Sequence, residues 1–288
     1  MIPAERPGAP VSHDLTTDEY ARFCDFFYQK TGISFNEKKA YFVKRRLQER
    51  MGARAATSFR DYFSMLRFDL NGVELQQLVN LLTVNETYFL REDYQFDALV
   101  DGILPEIARD RRPGSTIRIW SMPCSTGEEP YSIAIHILEK WRQSDDYAIE
   151  ISGSDIDSAV LAQARKGRYS ERSLHRVSPQ LRRKYFRPLG ADFQICDELR
   201  ESIDFFSINI VDRVAMSGMR AVDVAFCRNL LIYFDDTSRR EAVELLYESM
   251  APGGFICLGH SESMSRMSSL FLPRKIAGTI VHQKPLRP

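Results

Sequence analysis

The sequence predicts an α/β protein, a parallel sheet wrapped by helices and preceded by a small all-helical domain. Three observations carry this. From Leu15 to about Leu82, apolar residues recur at intervals of three and four with no alternating stretch, which is the helical pattern. After residue 115 the pattern changes to short runs rich in β-branched and aromatic residues: Ile117 to Trp120, Ala148 to Ser152, Ile203 to Phe206, Val222 to Cys227 and Phe255 to Leu258. Helical segments separate these runs, and strands alternating with helices make a parallel sheet covered on both faces.

Taken in chain order, residues 1–14 contain three prolines and no apolar run, and are expected to be a disordered tail. Residues 15–88 form the helical domain. Thr31-Gly32 breaks its first helix, Asn36 is placed to cap the next, Gly52 to end that one, and Ser58 to cap a third. Residues 89–114 read as a linker helix, and 115–288 as the α/β domain. Within it, residues 178–202 fit the alternation poorly: Pro179, Pro188 and Gly190 precede a strand around Phe193 to Cys196, so a small β-subdomain is expected there. Lys275 to Gln283 supplies one or two further strands, pairing antiparallel at the sheet edge.

Composition removes several classes of function. Lysine plus arginine equals aspartate plus glutamate at 39 each, so no global basic field exists to hold nucleic acid. No secretory signal and no run of about 18 apolar residues is present, and the expectation is a cytoplasmic protein without membrane insertion. Cys24, Cys124, Cys196, Cys227 and Cys257 are odd in number and widely spaced, which argues against a disulfide framework and against zinc. With the histidines scattered as well, no metal is expected.

In open parallel sheets the ligand lies beyond the carboxyl ends of the strands. After the first strand comes a loop of small residues, Ser125, Thr126 and Gly127, that lets the backbone approach a ligand, followed by Glu128, Glu129 and a helix start. It is not G-x-G-x-x-G, and paired glutamates repel a diphosphate while accepting an amino group or a cation. The second strand ends at Asp155, whose carboxylate suits a ribose diol; Asp157 reads as the cap of the next helix. Asn209 with Ile210 suits the edge and face of an adenine. Arg228, Asn229 and Tyr233 follow the fourth strand at the same edge.

The strings Asn85-Glu-Thr87-Tyr-Phe-Leu-Arg91-Glu92, Ser125-Thr-Gly-Glu-Glu-Pro-Tyr-Ser132, Ser154-Asp-Ile-Asp157, Cys227-Arg-Asn-Leu-Leu-Ile-Tyr-Phe234 and Gly259-His-Ser-Glu262 resemble the CheR-type chemotaxis receptor glutamate O-methyltransferases. The resemblance spans about residues 20 to 285. It implies a class I (Rossmann-like) S-adenosylmethionine-dependent methyltransferase domain with a small β-subdomain, and a helical domain before it that recognises the receptor. It further implies cofactor contacts from Asn85, Thr87, Arg91, Glu129, Asp155, Asn209, Ile210, Arg228 and Asn229. Arg91 and Tyr233 are then candidates for orienting the reacting groups, or for holding the cofactor's own carboxylate. The implied partners are the cytoplasmic methylation helices of chemoreceptors. Some members also dock on a receptor-tail pentapeptide by strand addition, but the turn Leu189-Gly190-Ala191-Asp192 is short here and puts that docking in doubt.

For receptor recognition the segment Lys38 to Arg54 stands out, with seven basic residues and one acidic, in a chain whose net charge is zero. On a helix starting near Glu37, Ala40, Val43, Leu47 and Met51 face inward while Lys39, Arg46 and Arg50 form a stripe suited to an acidic helix. Two other classes compete. An amino-methylating DNA enzyme carries Asn/Asp-Pro-Pro-aromatic after the fourth strand, where this chain has Cys227-Arg228-Asn229-Leu230. A non-catalytic cofactor-binding adaptor is marked by loss of Arg91, Glu129 or Asp155, and all three are present.

Overall fold

The computed structural model describes residues 15–286; the expected disordered tail at 1–14 lies outside them. The chain divides into two compact units between Thr83 and Val84, so Asn85, Thr87 and Arg91 belong to the second unit.

The first unit is four helices, α1 (Thr17–Thr31), α2 (Ala40–Ala53), α3 (Phe59–Arg67) and α4 (Val73–Leu82). A capping box between Thr16 and Glu19 starts α1, and Gly32, at φ 74°, ends it in the left-handed conformation that glycine adopts without strain. Ser58 caps α3 by accepting the Asp61 N–H. Asn36, expected to cap α2, makes no side-chain cap bond, and a 3₁₀ turn at Glu37–Lys39 leads into the helix instead. Gly52 does not end α2, which runs on through Ala53. Phe23, Phe27, Val43, Leu47, Phe59, Tyr62, Leu66, Leu78 and Leu82 are buried, the periodic positions of four helices closing one core.

Within this core sits Glu74, 3% exposed. Arg50 grips it with two bonds, Nε to Oε1 at 2.9 Å and Nη2 to Oε2 at 2.8 Å, and the Tyr62 hydroxyl donates to Oε1 at 2.7 Å. Arg50 therefore leaves the expected docking stripe: its planar fork is closed on a buried carboxylate 24 residues away. Arg46 pairs with Glu49 on the surface at 2.9 Å and lies over the Phe42 ring, and Lys44 donates to the Leu15 carbonyl. Lys38 and Arg45 are exposed.

The second unit opens with a continuous helix over 94–109, α5 (Tyr94–Ala98) and α6 (Leu104–Arg109) joined by a π-helical turn at Leu99–Ile103. It packs Phe96, Leu99, Ile103 and Leu104 into the core of this unit. Then follow β1 (Thr116–Met122), α7 (Glu128–Lys140), β2 (Ala148–Asp155) and α8 (Ser158–Lys166). A smaller antiparallel sheet comes next, with β3 (Arg168–Tyr169), α9 (Pro179–Tyr185), β4 (Phe186–Leu189), β5 (Asp192–Ile195) and α10 (Asp197–Ser202). The chain returns through β6 (Ile203–Ser207), α11 (Arg213–Met216), β7 (Val222–Cys227), α12 (Asp236–Ser249), β8 (Met250–Leu258), β9 (Leu272–Ile276) and β10 (Thr279–Gln283).

The main sheet has the order β6-β2-β1-β7-β8-β10-β9, with β10 antiparallel to both neighbours. The order reverses at β1, where a doubly wound sheet opens its ligand crevice between β1 and β7. Every residue of β7 is buried, as a central strand covered on both faces requires. The small sheet reaches back to Arg168, ten residues before its expected start, because Gly167 ends α8 at φ 62° and turns the chain directly into β3. Only Gly190 and Ala191 separate β4 from β5.

Candidate functional site

Residues beyond the carboxyl ends of β1, β2 and β7 meet those of the 85–92 segment. Asp155 closes β2 and is 4% exposed. Its Oδ2 accepts the Ser125 N–H and its Oδ1 the Asp157 N–H, both at 2.9 Å. Burial pushes its carboxyl up to about 6, partly offset by those two N–H groups. The Ile156 backbone N–H also stabilises this carboxylate. Asp157 caps α8 through the N–H groups of Ala159 and Val160, and its Oδ2 accepts from Asn85 Nδ2 at 2.8 Å. The Ser125 hydroxyl donates to the Asn85 carbonyl at 3.3 Å.

Gly127, at φ 93°, has a different reason for being glycine than the ligand approach expected of it. A Cβ there would lie 2.9 Å from the Ala164 side chain and 3.1 Å from the Tyr169 hydroxyl, so it is the packing of α7 on α8 that excludes a side chain.

The 85–92 segment is stitched down along its length. The Phe89 ring is fully buried, edge-on to the rings of Tyr169 and Phe186, and the Leu90 N–H donates to the Ser132 hydroxyl at 3.0 Å. Leu90 and Glu92 hold φ of 60° and 54°, a conformation disfavoured for side-chain-bearing residues that surrounding contacts must enforce. Between them, Arg91 donates to the Glu86 carbonyl at 2.7 Å and lies over the Tyr88 ring. Thr87 is half-buried on the same segment.

Arg228 follows β7, and its side chain is 2% exposed. It binds Glu129 Oε2 at 2.8 Å and the Arg91 carbonyl at 2.6 Å, with Glu92 Oε2 at 3.4 Å. Glu129 receives the Ser121 hydroxyl on its other oxygen at 2.8 Å. Burial raises the Glu129 carboxyl, with Arg228 opposing. For Glu92 burial acts the same way, but Arg228, His260 and Tyr94 together outweigh it and hold the carboxyl below its usual range. The Arg228 guanidinium, expected among the cofactor contacts, forms a strut between two carboxylates and the Arg91 backbone.

Asn229, at φ 58°, turns back toward Gly259 and Glu262. Asn209 and Ile210 follow β6, which pairs beside β2 with Ser207 opposite Asp155; Ile210 is buried. Tyr233 lies on a 3₁₀ turn at Leu231–Tyr233, where burial raises its hydroxyl and the nearby Arg91 charge opposes. Sequence reasoning gave no role to Ser121, Glu92 or Glu262. Glu92 and Glu262 lie within the strings that carry the resemblance, but no role attaches to them there, and Ser121 shows only its proximity to an expected site residue.

Among the described residues, no group of three or more His, Cys, Asp and Glu could hold a metal ion, and no helix is long and apolar enough to cross a membrane. The donor set fits a ligand with a diol and a cationic group: carboxylates follow the first two strands, and no phosphate loop is present. Counting main-sheet strands alone, the order is 3-2-1-4-5-7-6. Order and donor set together fit a class I S-adenosylmethionine-dependent methyltransferase.

Family models agree. The CheR methyltransferase all-alpha domain matches residues 18–83, and the CheR methyltransferase SAM binding domain matches residues 85–279. The chain is 50% identical over 273 residues to chemotaxis protein methyltransferase 2 of Vibrio cholerae, covering 94% of each chain. It is 36% identical to chemotaxis protein methyltransferase 2 of Pseudomonas aeruginosa, covering 88% of this chain and 90% of that one. With the chemotaxis protein methyltransferase of Salmonella typhimurium the identity is 35%, over 88% and 86%. The chain belongs to the CheR methyltransferase family, and its cofactor is S-adenosylmethionine.

Asp155→Ala is expected to weaken S-adenosylhomocysteine binding by about 1–3 kcal/mol, roughly 5- to 150-fold, by removing an anchored acceptor. The wild-type affinity should hold steady above about pH 6 and fall below it, because a protonated carboxyl accepts fewer bonds. Calorimetric titration across this range checks both. Unchanged affinity in a folded Asp155→Ala protein removes Asp155 from the cofactor site.

Proposed function

We propose that this methyltransferase acts on glutamate side chains of chemoreceptors in the cytoplasm, forming carboxyl methyl esters that set receptor adaptation. The observation that carries the proposal is the chemistry around Arg91. A guanidinium can only donate hydrogen bonds, and burial raises the nearby Tyr233 hydroxyl further above its ordinary value, so the pair donates to a nucleophile rather than deprotonating it. Such a pair orients a nucleophile that is already ionised. A glutamate carboxylate, with an ordinary pKa of about 4.3, is one.

S-adenosylmethionine supplies an electrophilic methyl group on a sulfonium. The protein's part is to bring a carboxylate oxygen in line, to within about 3–3.5 Å, and to exclude water. Asn85, Thr87, Asp155, Asn209, Ile210 and the Asn229 turn would hold the cofactor, with Glu129 fixed by Ser121 and Arg228. Arg91 and Tyr233 would orient the reacting groups.

Receptor recognition is assigned to α2 and the 3₁₀ turn that leads into it, with Arg46 and Lys39 of the expected stripe and the exposed Lys38 and Arg45 in place of Arg50. Reversing Arg45 and Arg46 to glutamate should sharply lower receptor methylation while leaving S-adenosylhomocysteine affinity near wild type. A receptor-tail pentapeptide is expected to bind weakly or not at all, because the turn at Gly190 and Ala191 is short.

Tyr233→Phe is expected to lower turnover more than cofactor affinity, since only the hydroxyl is lost; equal drops would assign Tyr233 to binding. The function itself is tested by incubating the protein with radiolabelled S-adenosylmethionine and membranes bearing one chemoreceptor. Label that alkali releases supports the ester, and alkali-stable label contradicts it.

A further inference from the structure

We infer that Glu262 is a positioning residue for methyl transfer, holding in place the turn that carries Tyr233. The carboxylate gathers backbone N–H groups from two loops. Oε2 accepts from Asn229 at 3.0 Å and Gly259 at 2.8 Å, and Oε1 accepts from Leu231 at 2.8 Å. Asn229 and Leu231 follow β7, while Gly259 follows β8. One side chain thus ties together two strand ends and sets the first residue of the Leu231–Tyr233 turn.

The surroundings are built for this clamp. Asn229 sits at φ 58°, which asparagine tolerates better than most residues but which still requires support. A Cβ on Gly259 would come within 2.8 Å of Asn229 Nδ2 and 2.9 Å of Glu262 Oε2, so a side chain there would displace the clamp. The Glu262 N–H donates to the Gly259 carbonyl at 2.9 Å, closing the loop on itself. Buried N–H groups need acceptors, and a carboxylate is the side chain whose two oxygens can accept on both sides at once.

Glutamine has the same shape but only one accepting end. In Glu262→Gln its amide nitrogen must face at least one of these N–H groups, donor against donor.

The inference rests on the reading of Tyr233 as a group that orients the transfer. The test is a double-mutant cycle of Glu262→Gln and Tyr233→Phe, assayed with S-adenosylmethionine and membranes holding one overproduced chemoreceptor. For Glu262→Gln, kcat should fall about tenfold or more, the size of losing a charge-assisted bond, and by more than KM for S-adenosylmethionine rises, since the clamp also holds the Asn229 turn. In the Tyr233→Phe background the same substitution should add little. Gly259→Ala should reproduce the kcat loss, and it serves in place of Glu262→Gln if that protein does not fold.

A wild-type kcat for Glu262→Gln overturns the inference. So does an equal, additive loss in both backgrounds, which marks Glu262 as general scaffold. Wild-type turnover in Tyr233→Phe alone overturns the Tyr233 reading instead, and it is scored in the single variant.

Discussion

Arg228→Ala is expected to abolish S-adenosylhomocysteine binding and to lower the stability of the α/β domain by about 3–5 kcal/mol, the cost of removing one partner from a buried ion pair. The guanidinium is 2% exposed and stands between Glu129 and Glu92, which are 13% and 11% exposed. Without it two largely buried carboxylates lose their cation, and the Arg91 carbonyl loses its donor. The strained conformations of Leu90 and Glu92 are then held by fewer contacts, and the segment carrying Asn85, Thr87 and Arg91 loosens. Arg228→Lys should recover only part of the loss, because an ammonium cannot span three acceptors with a rigid fork. Adding Glu129→Gln to Arg228→Met should recover part as well, by removing one uncompensated charge. Denaturant unfolding and calorimetry check this. Wild-type values for both in Arg228→Ala would show that the strut carries no weight.

The second large effect falls in the helical domain. Arg50→Glu should destabilise it by about 3–5 kcal/mol, much of a small domain's total stability. The substitution places an acid against Glu74, which is 4% exposed in its side chain and also holds the Tyr62 hydroxyl. Burial pushes the Glu74 carboxyl up, but Arg50 and Tyr62 outweigh it and hold the value below 4.5. A lowered carboxylate contributes stability above its unfolded pKa, near 4.3, and loses it as the pH falls through the lower folded value. The helical domain should therefore also weaken in acid below about pH 4. Arg46→Glu, which breaks a surface pair with Glu49, should cost under about 1 kcal/mol. Limited proteolysis of the full chain distinguishes the two. Arg50→Glu should be cut rapidly before residue 83, and a protected domain in that variant would contradict the role given to Glu74.

The contrast between Arg46 and Arg50 shows where sequence reading stops. Both are arginines on one helical stripe, and the helical period places them alike; the difference is made by Glu74, whose approach depends on how α4 packs against α2. Local chemistry was more legible. Asp157 reads as a helix cap and is one, because a cap is decided within three residues. The central strand β7 shows as an apolar run because both its faces are covered, whereas β3, two residues long, leaves no pattern to read. Arg228 and Glu129 could be placed near one sheet edge, but their closure on each other is a tertiary fact. So is the reason for Gly127, which lies in α8 rather than in the loop.

The central claim is that the methyl group goes to a glutamate carboxylate on a chemoreceptor, and mass spectrometry of a receptor cytoplasmic fragment after reaction with S-adenosylmethionine tests it most directly. Peptides from its helical segments should gain the mass of one CH₂ on a glutamate side chain, and lose it on mild alkaline treatment. The same mass on a lysine, arginine or histidine nitrogen, stable to alkali, would contradict the account.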